Sequence, residues 1–262
     1  MKKENSLDID KATTPSFFDR LHRLANDPFE VLNGRYAKHA GGLDRPAFYD
    51  IDKIYPTLRL LDQNYRVMRE ELETLLAGME TIPRYHDLAK SESYISGSGD
   101  PEKNWRVFML RSMVGTPRAN QMKCPSTTAL LRKIPNIYQA FFSILDAKKS
   151  VPAHAGGYLG YLRYHLGLRV PKNHPPTMRV RTQCHTWVEG QSILFDDSLE
   201  HEVYNDSDGV RVVLIVDILR PLPFHLHAVN SLLTHVVFRH SEEAKEVMAN
   251  IKKHSLAALE RS

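Results

Sequence analysis

Val151-Pro-Ala-His154-Ala-Gly-Gly157 and Leu194-Phe-Asp-Asp-Ser-Leu-Glu-His201-Glu-Val203 stand inside a stretch, Ser143 to Arg211, that is dense in strand signals. Apolar, β-branched and aromatic runs at 140–145, 158–170, 178–182, 192–195 and 211–217 are separated by Gly, Pro, Asn and Asp turns. Short strands so punctuated predict an all-β double-sheet core rather than alternating βαβ units. No Gly-rich phosphate loop and no internal repeat interrupts them. One histidine among thirteen means little, and His22, His39, His86, His225, His235 and His254 read as surface or packing residues. His154 and His201 differ because each sits at a strand edge beside turn residues. Two imidazoles brought together from distant strand ends, with open positions around them, suit non-haem Fe(II) oxygen chemistry.

Working outward, Trp105-Arg-Val-Phe-Met-Leu110 reads as a strand, and Ser126 as the N-cap of a helix over 126–134 that stops near Pro135. Leu61, Tyr65, Met68, Leu72, Leu75 and Met79 recur at alternating steps of four and three, which predicts one helix over 54–79 with a single buried stripe. Its outward face, with Arg66, Arg69, Glu70, Glu71 and Glu73, reads as solvated. The Ser-, Gly- and Asp-rich segment 90–103 reads as a loop over the site mouth. Residues 1–50 are broken by Pro and Gly, with a short amphipathic helix expected near Phe17–Leu24. The stretch 225–259 reads as helical, bracing the sheet or turning a basic face (Arg239, His240, Lys245, Lys252) to a membrane or partner. The organisation expected is one integrated unit: an N-terminal arm and helical support (1–104), a β core (105–222) and a C-terminal helical brace (223–262).

The chain has 262 residues and a net charge of +4, with bases scattered among acids, so composition makes no case for nucleic acid. An anionic substrate or membrane face remains compatible. Cys124 and Cys184 make neither a metal-ligand spacing nor a disulfide framework, which fits a reducing compartment. The N-terminus lacks the apolar run of a signal peptide, and no window approaches the roughly 20 apolar residues that span a bilayer. The expectation is a cytoplasmic protein, with peripheral contact at the inner membrane face as its membrane option.

Arg211 opens the strand after His201. A buried guanidinium opposite a metal can grip the far carboxylate of a dicarboxylic co-substrate bidentately. The competing reading pairs Arg211 with Asp206, Asp208 or Asp217.

Phe142-Ser143-Ile, Pro152-Ala-His154-Ala-Gly156, Leu162-Arg-Tyr-His165-Leu-Gly-Leu168, Thr186-Trp-Val-Glu-Gly190, Phe195-Asp-Asp-Ser-Leu-Glu-His201-Glu-Val and Arg211 to Asp217 resemble, in order, the aspartyl/asparaginyl β-hydroxylase family. The resemblance covers about residues 105 to 221. It implies a mainly β core, a double-stranded β-helix (jelly roll) with flanking N- and C-terminal helices (α+β), and an Fe(II)- and 2-oxoglutarate-dependent dioxygenase that consumes O2. It further implies that His154 and His201 bind iron, and that Arg211, helped by the Ser143 hydroxyl, holds the distal 2-oxoglutarate carboxylate. Arg163 and His165, two apart and so on one face of a strand, are similar to residues that contact co-substrate or substrate carboxylates. Their competing reading is an inward polar pair closed by neighbouring acids.

The third ligand usual in the wider superfamily is a carboxylate two residues after the first histidine. Here that position is Gly156, which leaves it to water or substrate. Asp196 and Asp197 are the nearby carboxylates that could compensate, or simply build the turn. The β-carbon of an acidic or amide side chain is the expected target. A lipid acyl chain is the alternative, and small molecules and peptides remain within the substrate range. A double-sheet module without catalysis is the reading from another class. A zinc hydrolase is disfavoured because two histidines fall short of three protein ligands.

Overall fold

The computed structural model describes residues 28–99, 102–112 and 114–259. The helix expected near Phe17–Leu24 lies outside them, as does His22. The ten strands are β1 (Phe48–Tyr49), β2 (Trp105–Arg111), β3 (Ile137–Leu145), β4 (Val151–His154), β5 (Tyr161–Arg169), β6 (Thr177–Val180), β7 (Gln183–Thr186), β8 (Ser192–Phe195), β9 (His201–Tyr204) and β10 (Arg211–Leu219). They form a six-stranded sheet, β1-β8-β5-β10-β3-β2, and a four-stranded sheet, β4-β9-β6-β7. Every pair within the two sheets is antiparallel. The chain crosses between sheets after β3, β4, β5, β7, β8 and β9, which is the winding of a cupin-like double-stranded β-helix.

Alternation along β10 explains why the larger sheet is buried on both faces. Val213 and Ile215 point between the sheets with Phe141, Leu145, Phe195, Met178 and Val180. Val212, Leu214, Val216 and Ile218 point the other way, against Leu58, Leu61, Met68 and Leu72 from the helical support. A strand with both faces covered reads as a continuous apolar run, as this one does. Each such side chain taken fully from water contributes about 1.5–3 kcal/mol. The same alternation puts four polar residues on the inner face, with Arg211 and Asp217 at the ends of β10 and Ser143 and Gln139 on β3.

The helical stripe is present but the helix is not continuous. A 3₁₀ turn (Pro56–Leu58), a short helix (Arg59–Gln63) and a longer one (Tyr65–Leu76) replace the single span. Pro56 has no N–H to give. At Asn64, whose φ is −115°, the side-chain Nδ2 takes the Leu60 carbonyl at 2.8 Å, a bond the helix would otherwise use for backbone. Glu71 departs from its solvated reading: its carboxylate accepts from the N–H groups of Ser126 (2.6 Å) and Thr127 (2.9 Å) and caps the helix Pro125–Leu131. Ser126 is therefore inside that helix rather than its N-cap.

The C-terminal stretch is broken likewise, into Phe224–Leu232, a π-helical turn Leu233–Val237, a 3₁₀ turn Phe238–His240 and Glu242–Leu259. Thr234 Oγ1 competes for the Asn230 and Ser231 carbonyls at 3.0 and 3.1 Å. Ser241 is extended, and its Oγ accepts from Ala244 N at 3.2 Å, starting the last helix afresh. Segment 90–99 contains a 3₁₀ turn (Lys90–Glu92) and one helical turn (Ser93–Ser96), with Ile95 and Ser96 buried.

Candidate active site

The structure brings His154 and His201 together. They are register partners across β4 and β9, with ring centroids 4.2 Å apart and planes at 53°. Each Nδ1 lies 2.8 Å from a backbone carbonyl two residues back, Pro152 O for His154 and Leu199 O for His201. A carbonyl only accepts, so each Nδ1 donates, which in the neutral tautomer leaves the Nε2 lone pair free for a metal. Holding the tautomer in this way is what a metal-binding imidazole requires. Burial, and then the neighbouring His201, pushes His154 down to about 4. Among the described residues no group of three or more His, Cys, Asp or Glu side chains forms a metal cage, so the chain offers a pair of imidazoles. Two imidazoles with open positions beside them fit Fe(II), whose remaining ligands would come from co-substrate and water.

The place left by Gly156 is taken from the next turn. A side chain at 156 would collide with the Asp197 carboxylate and press on the Tyr161 hydroxyl at 3.0 Å, while Gly156 N donates to Asp197 O at 2.8 Å. Asp197 Oδ1 lies 3.5 Å from His201 Nε2 and 2.5 Å from Arg163 Nη1, close in charge but not aligned as hydrogen bonds. Its other oxygen accepts from the Tyr161 hydroxyl. Burial alone would raise this carboxyl, but Arg163, His201 and Tyr161 hold it below the usual carboxylate range.

Arg163 is closed by acids on both sides. Besides Asp197 it grips Asp217 with Nε at 2.7 Å and Nη2 at 2.8 Å, and Gln139 Nε2 donates to Asp217 Oδ2 at 2.6 Å. Arg211 has no such partner. Asp217 belongs to Arg163, while Asp206 and Asp208 sit on the surface with Lys148. Arg211 is 2% exposed, its guanidinium carbon lies 4.7 Å from the Trp187 ring centroid, and among the described residues its side chain hydrogen-bonds only to Ser143 Oγ, at 3.5 Å. Trp105 Nε1 holds that same hydroxyl at 2.8 Å. Burial without a counter-charge pulls Arg211 down to about 9.

His165 is buried against Trp187 and Phe195, and neither ring nitrogen has a partner. Trp187 Nε1 and Arg211 Nε are equally unsatisfied. Orphaned buried polar atoms cost about 1–3 kcal/mol each, so such a cluster calls for a ligand. Glu92 comes from the segment over the site: burial raises it to about 7, against the pull of Arg163.

Trp105, Trp187, Tyr161, Asp217 and Glu92 were not among the expected site residues. Asp217 had a readable signal, because it lies six residues after Arg211 and therefore on the same strand face. Trp187 stands in the Thr186–Gly190 motif of the family resemblance, though with no role attached to it, and Trp105 and Glu92 had no signal.

The buried histidines set a pH dependence. His154 and His165 are both held neutral in the fold, mainly by burial, whereas an unfolded histidine titrates near ~6.5. Their stabilising contribution is whole above that value. Below it the unfolded chain takes up protons that the folded one refuses, so the two histidines together cost the metal-free protein up to about 2.7 kcal/mol per pH unit as the pH falls toward 4, and Glu92, which the fold lets protonate near 7, offsets part of that loss. Urea midpoints at pH 7 and pH 5 measure this, and His165→Phe reduces the slope by about half.

These features define a jelly-roll protein with a cluster of buried polar groups between its sheets: a pair of imidazoles on the smaller sheet and, on the larger, a buried guanidinium without an acidic partner among the described residues. The aspartyl/asparaginyl beta-hydroxylase family model matches residues 62–221, and the chain belongs to that family, among the hydroxylases. It is 38% identical over 202 residues to the ornithine lipid ester-linked acyl 2-hydroxylase of Rhizobium tropici, covering 77% of this chain and 69% of that protein. It is 31% identical over 173 residues to the aspartyl/asparaginyl beta-hydroxylase of Homo sapiens, covering 63% of this chain and 21% of that one. Aspartate beta-hydroxylase domain-containing protein 2 of Xenopus tropicalis is 26% identical, over 72% of this chain and 54% of its own length. The chain thus spans about a fifth to a half of the two animal relatives and over two thirds of the bacterial one. Among the described residues no helix is long and apolar enough to cross a membrane.

Proposed function

We propose that this chain is an Fe(II)- and 2-oxoglutarate-dependent hydroxylase acting on an acyl chain of a membrane lipid. The observation that carries the co-substrate reading is Arg211, a buried guanidinium without a carboxylate partner, set among the orphaned donors of Trp187 and His165. A dicarboxylate that reaches from the imidazole pair to Arg211 satisfies the cation and supplies acceptors to those donors.

His154 and His201 hold the ion through their Nε2 atoms. Arg211 and Ser143 grip the distal carboxylate, and Trp105 orients Ser143 by donating to its oxygen. Arg163 is a positioning residue, which with Tyr161 fixes the Asp197 carboxylate beside the imidazoles, where it can accept a hydrogen bond from a bound water. Phe195, Trp187 and Trp105 keep bulk water from the pocket. The bound ion, with 2-oxoglutarate and O2, supplies the oxidising power that exchanges an unactivated C–H hydrogen for hydroxyl, with succinate and CO2 as co-products.

The lipid target replaces the acidic side chain as the leading substrate because the lipid-modifying relative is matched over more of both chains, at higher identity. Succinate release tests the chemistry: the wild type forms succinate with Fe(II) and 2-oxoglutarate, and the His154→Ala/His201→Ala double variant forms none. Mass spectrometry of membrane lipids and of Asp-containing peptides after incubation tests the target. Gain of one oxygen atom on a lipid acyl chain is expected; gain on the peptide alone returns the substrate to the acidic side chain, and succinate from the double variant removes the iron assignment.

A further inference from the structure

The C-terminal end of β10 runs straight into a segment, Arg220 to Ser241, that contains no aspartate or glutamate and holds four histidines and two arginines. Its helices bury one side, through Leu226 and Phe238, against Tyr138, Tyr158 and Tyr161. The other side leaves apolar groups in water: Phe224 is 87% exposed and Leu232 60%, and Val229, Val236 and Val237 are exposed too. Val229, Leu232 and Val236 recur at steps of three and four, and so line up in a stripe across the helix Phe224–Leu232 and the π-helical turn that continues it. Nothing in the local chemistry of a bracing helix requires that stripe.

Beside it lies a cavity of about 280 Å³ whose lining includes Arg111, Arg132, His235 and Arg239 and no carboxylate. Among the described residues Arg111 and Arg239 have no acidic partner, and Arg132 reaches only Gln121 Oε1, at 3.4 Å. An apolar stripe next to a basic, acid-free cavity matches a surface whose outer layer is anionic and whose next layer is hydrocarbon.

Both features border the end of the barrel at which Tyr161 meets Asp197 beside the imidazoles. Arg111 ends β2, Tyr138 begins β3 and Tyr161 begins β5, at the same end of the larger sheet as Asp217 and Leu219. Tyr138 lines the cavity and stacks on Tyr161, with centroids 5.7 Å apart, and Tyr161 in turn reaches Asp197. The helix Pro28–His39 joins the same rim: Asn33 bonds Gly157 O at 2.9 Å and Leu159 N at 3.1 Å, on the loop after His154.

We propose that this face, the Val229–Leu232–Val236 stripe with the Arg111–Arg132–Arg239 cavity, docks the protein on an anionic lipid bilayer, with a lipid headgroup phosphate in the cavity. The proposal rests on the lipid reading above and deepens it. With the stripe among the acyl chains, the end of the barrel beside the imidazoles faces the layer in which its substrate lies.

Co-sedimentation with vesicles tests docking without metal or turnover. The full chain is expected to pellet with vesicles of equal parts phosphatidylglycerol and phosphatidylcholine, and to remain largely in solution with phosphatidylcholine alone. Arg111→Gln/Arg239→Gln lowers partitioning about thirtyfold, at about 1 kcal/mol per basic residue. Leu232→Asp/Val236→Asp lowers it at least about tenfold. If the aspartate pair loses the wild-type melting transition, the arginine pair decides alone. Wild-type protein that ignores anionic vesicles, or arginine variants that bind as wild type does, overturns the proposal. So does an aspartate variant that turns a dimer into a monomer with vesicle binding unchanged, since the stripe then belongs to a second copy. Hydroxylation of detergent-dispersed lipid, measured in parallel, reports on the substrate reading independently of docking.

Discussion

Replacing Arg211 with methionine is expected to stabilise the protein without co-substrate and at the same time to raise the KM for 2-oxoglutarate by two to three orders of magnitude. The two effects share one cause. On the proposed reading, Arg211, 2% exposed and without a counter-ion among the described residues, is a desolvated charge that the fold tolerates for its ligand. Methionine keeps much of the length and the contact with Trp187 and removes the charge, so a gain of about 1–4 kcal/mol is expected. That corresponds to a rise in Tm of several degrees for a chain of this size. Loss of a buried charge-assisted grip on a carboxylate costs about 2–5 kcal/mol of binding. Thermal unfolding with and without 2-oxoglutarate reads both quantities. A variant that melts lower than wild type, or binds the co-substrate as well, shows that Arg211 has a structural partner instead.

Restoring a carboxylate at position 156 is expected to damage the protein rather than complete its metal site. Gly156→Asp places a Cβ against the Asp197 carboxylate, which Tyr161 and Arg163 hold in place. Overpacking of this kind costs about 1–3 kcal/mol, and a second negative charge in the same buried space adds to it. The double variant Gly156→Asp/Asp197→Gly removes the collision and is expected to recover most of the loss, giving a coupling energy of at least about 2 kcal/mol in a double-mutant cycle. Chemical denaturation of the four proteins measures it. Additive effects would mean that the two positions do not share one space.

Much of the β core could be read from residues because its strands are buried on one or both faces. Ser192–Phe195 appears as read, and the β10 run Arg211–Asp217 extends by only two residues, since an apolar run between a charge and a turn has few other uses. β4 escaped because four residues containing Pro152 carry too short a pattern, and β7 because Gln183–Thr186 is a largely exposed edge. The breaks at Asn64 and Thr234 escaped because side-chain competition for a helix carbonyl leaves apolar periodicity untouched. In the site, turn context and strand order lead to the expectation that His154 and His201 meet and that Arg211 turns inward, and the structure places all three so. Asp197 stood open between compensating for Gly156 and building the turn, and the sequence could not decide because its place depends on the missing side chain of a residue far away in the chain. The closure of Arg163 by two aspartates was open beforehand, and the geometry supplies both acids.

The paired imidazoles both ride on the smaller sheet, through β4 and β9, whereas Arg211 and Ser143 belong to the larger one. On the proposed reading, a dicarboxylate spanning them is a strut between two layers that are otherwise tied by side-chain packing, by the six crossings of the chain and by contacts such as Arg163 with Asp197. Its length gauges the thickness of the sandwich. Any substitution that lets the layers drift apart, even one remote from the pocket, detunes the co-substrate grip before it unfolds the chain.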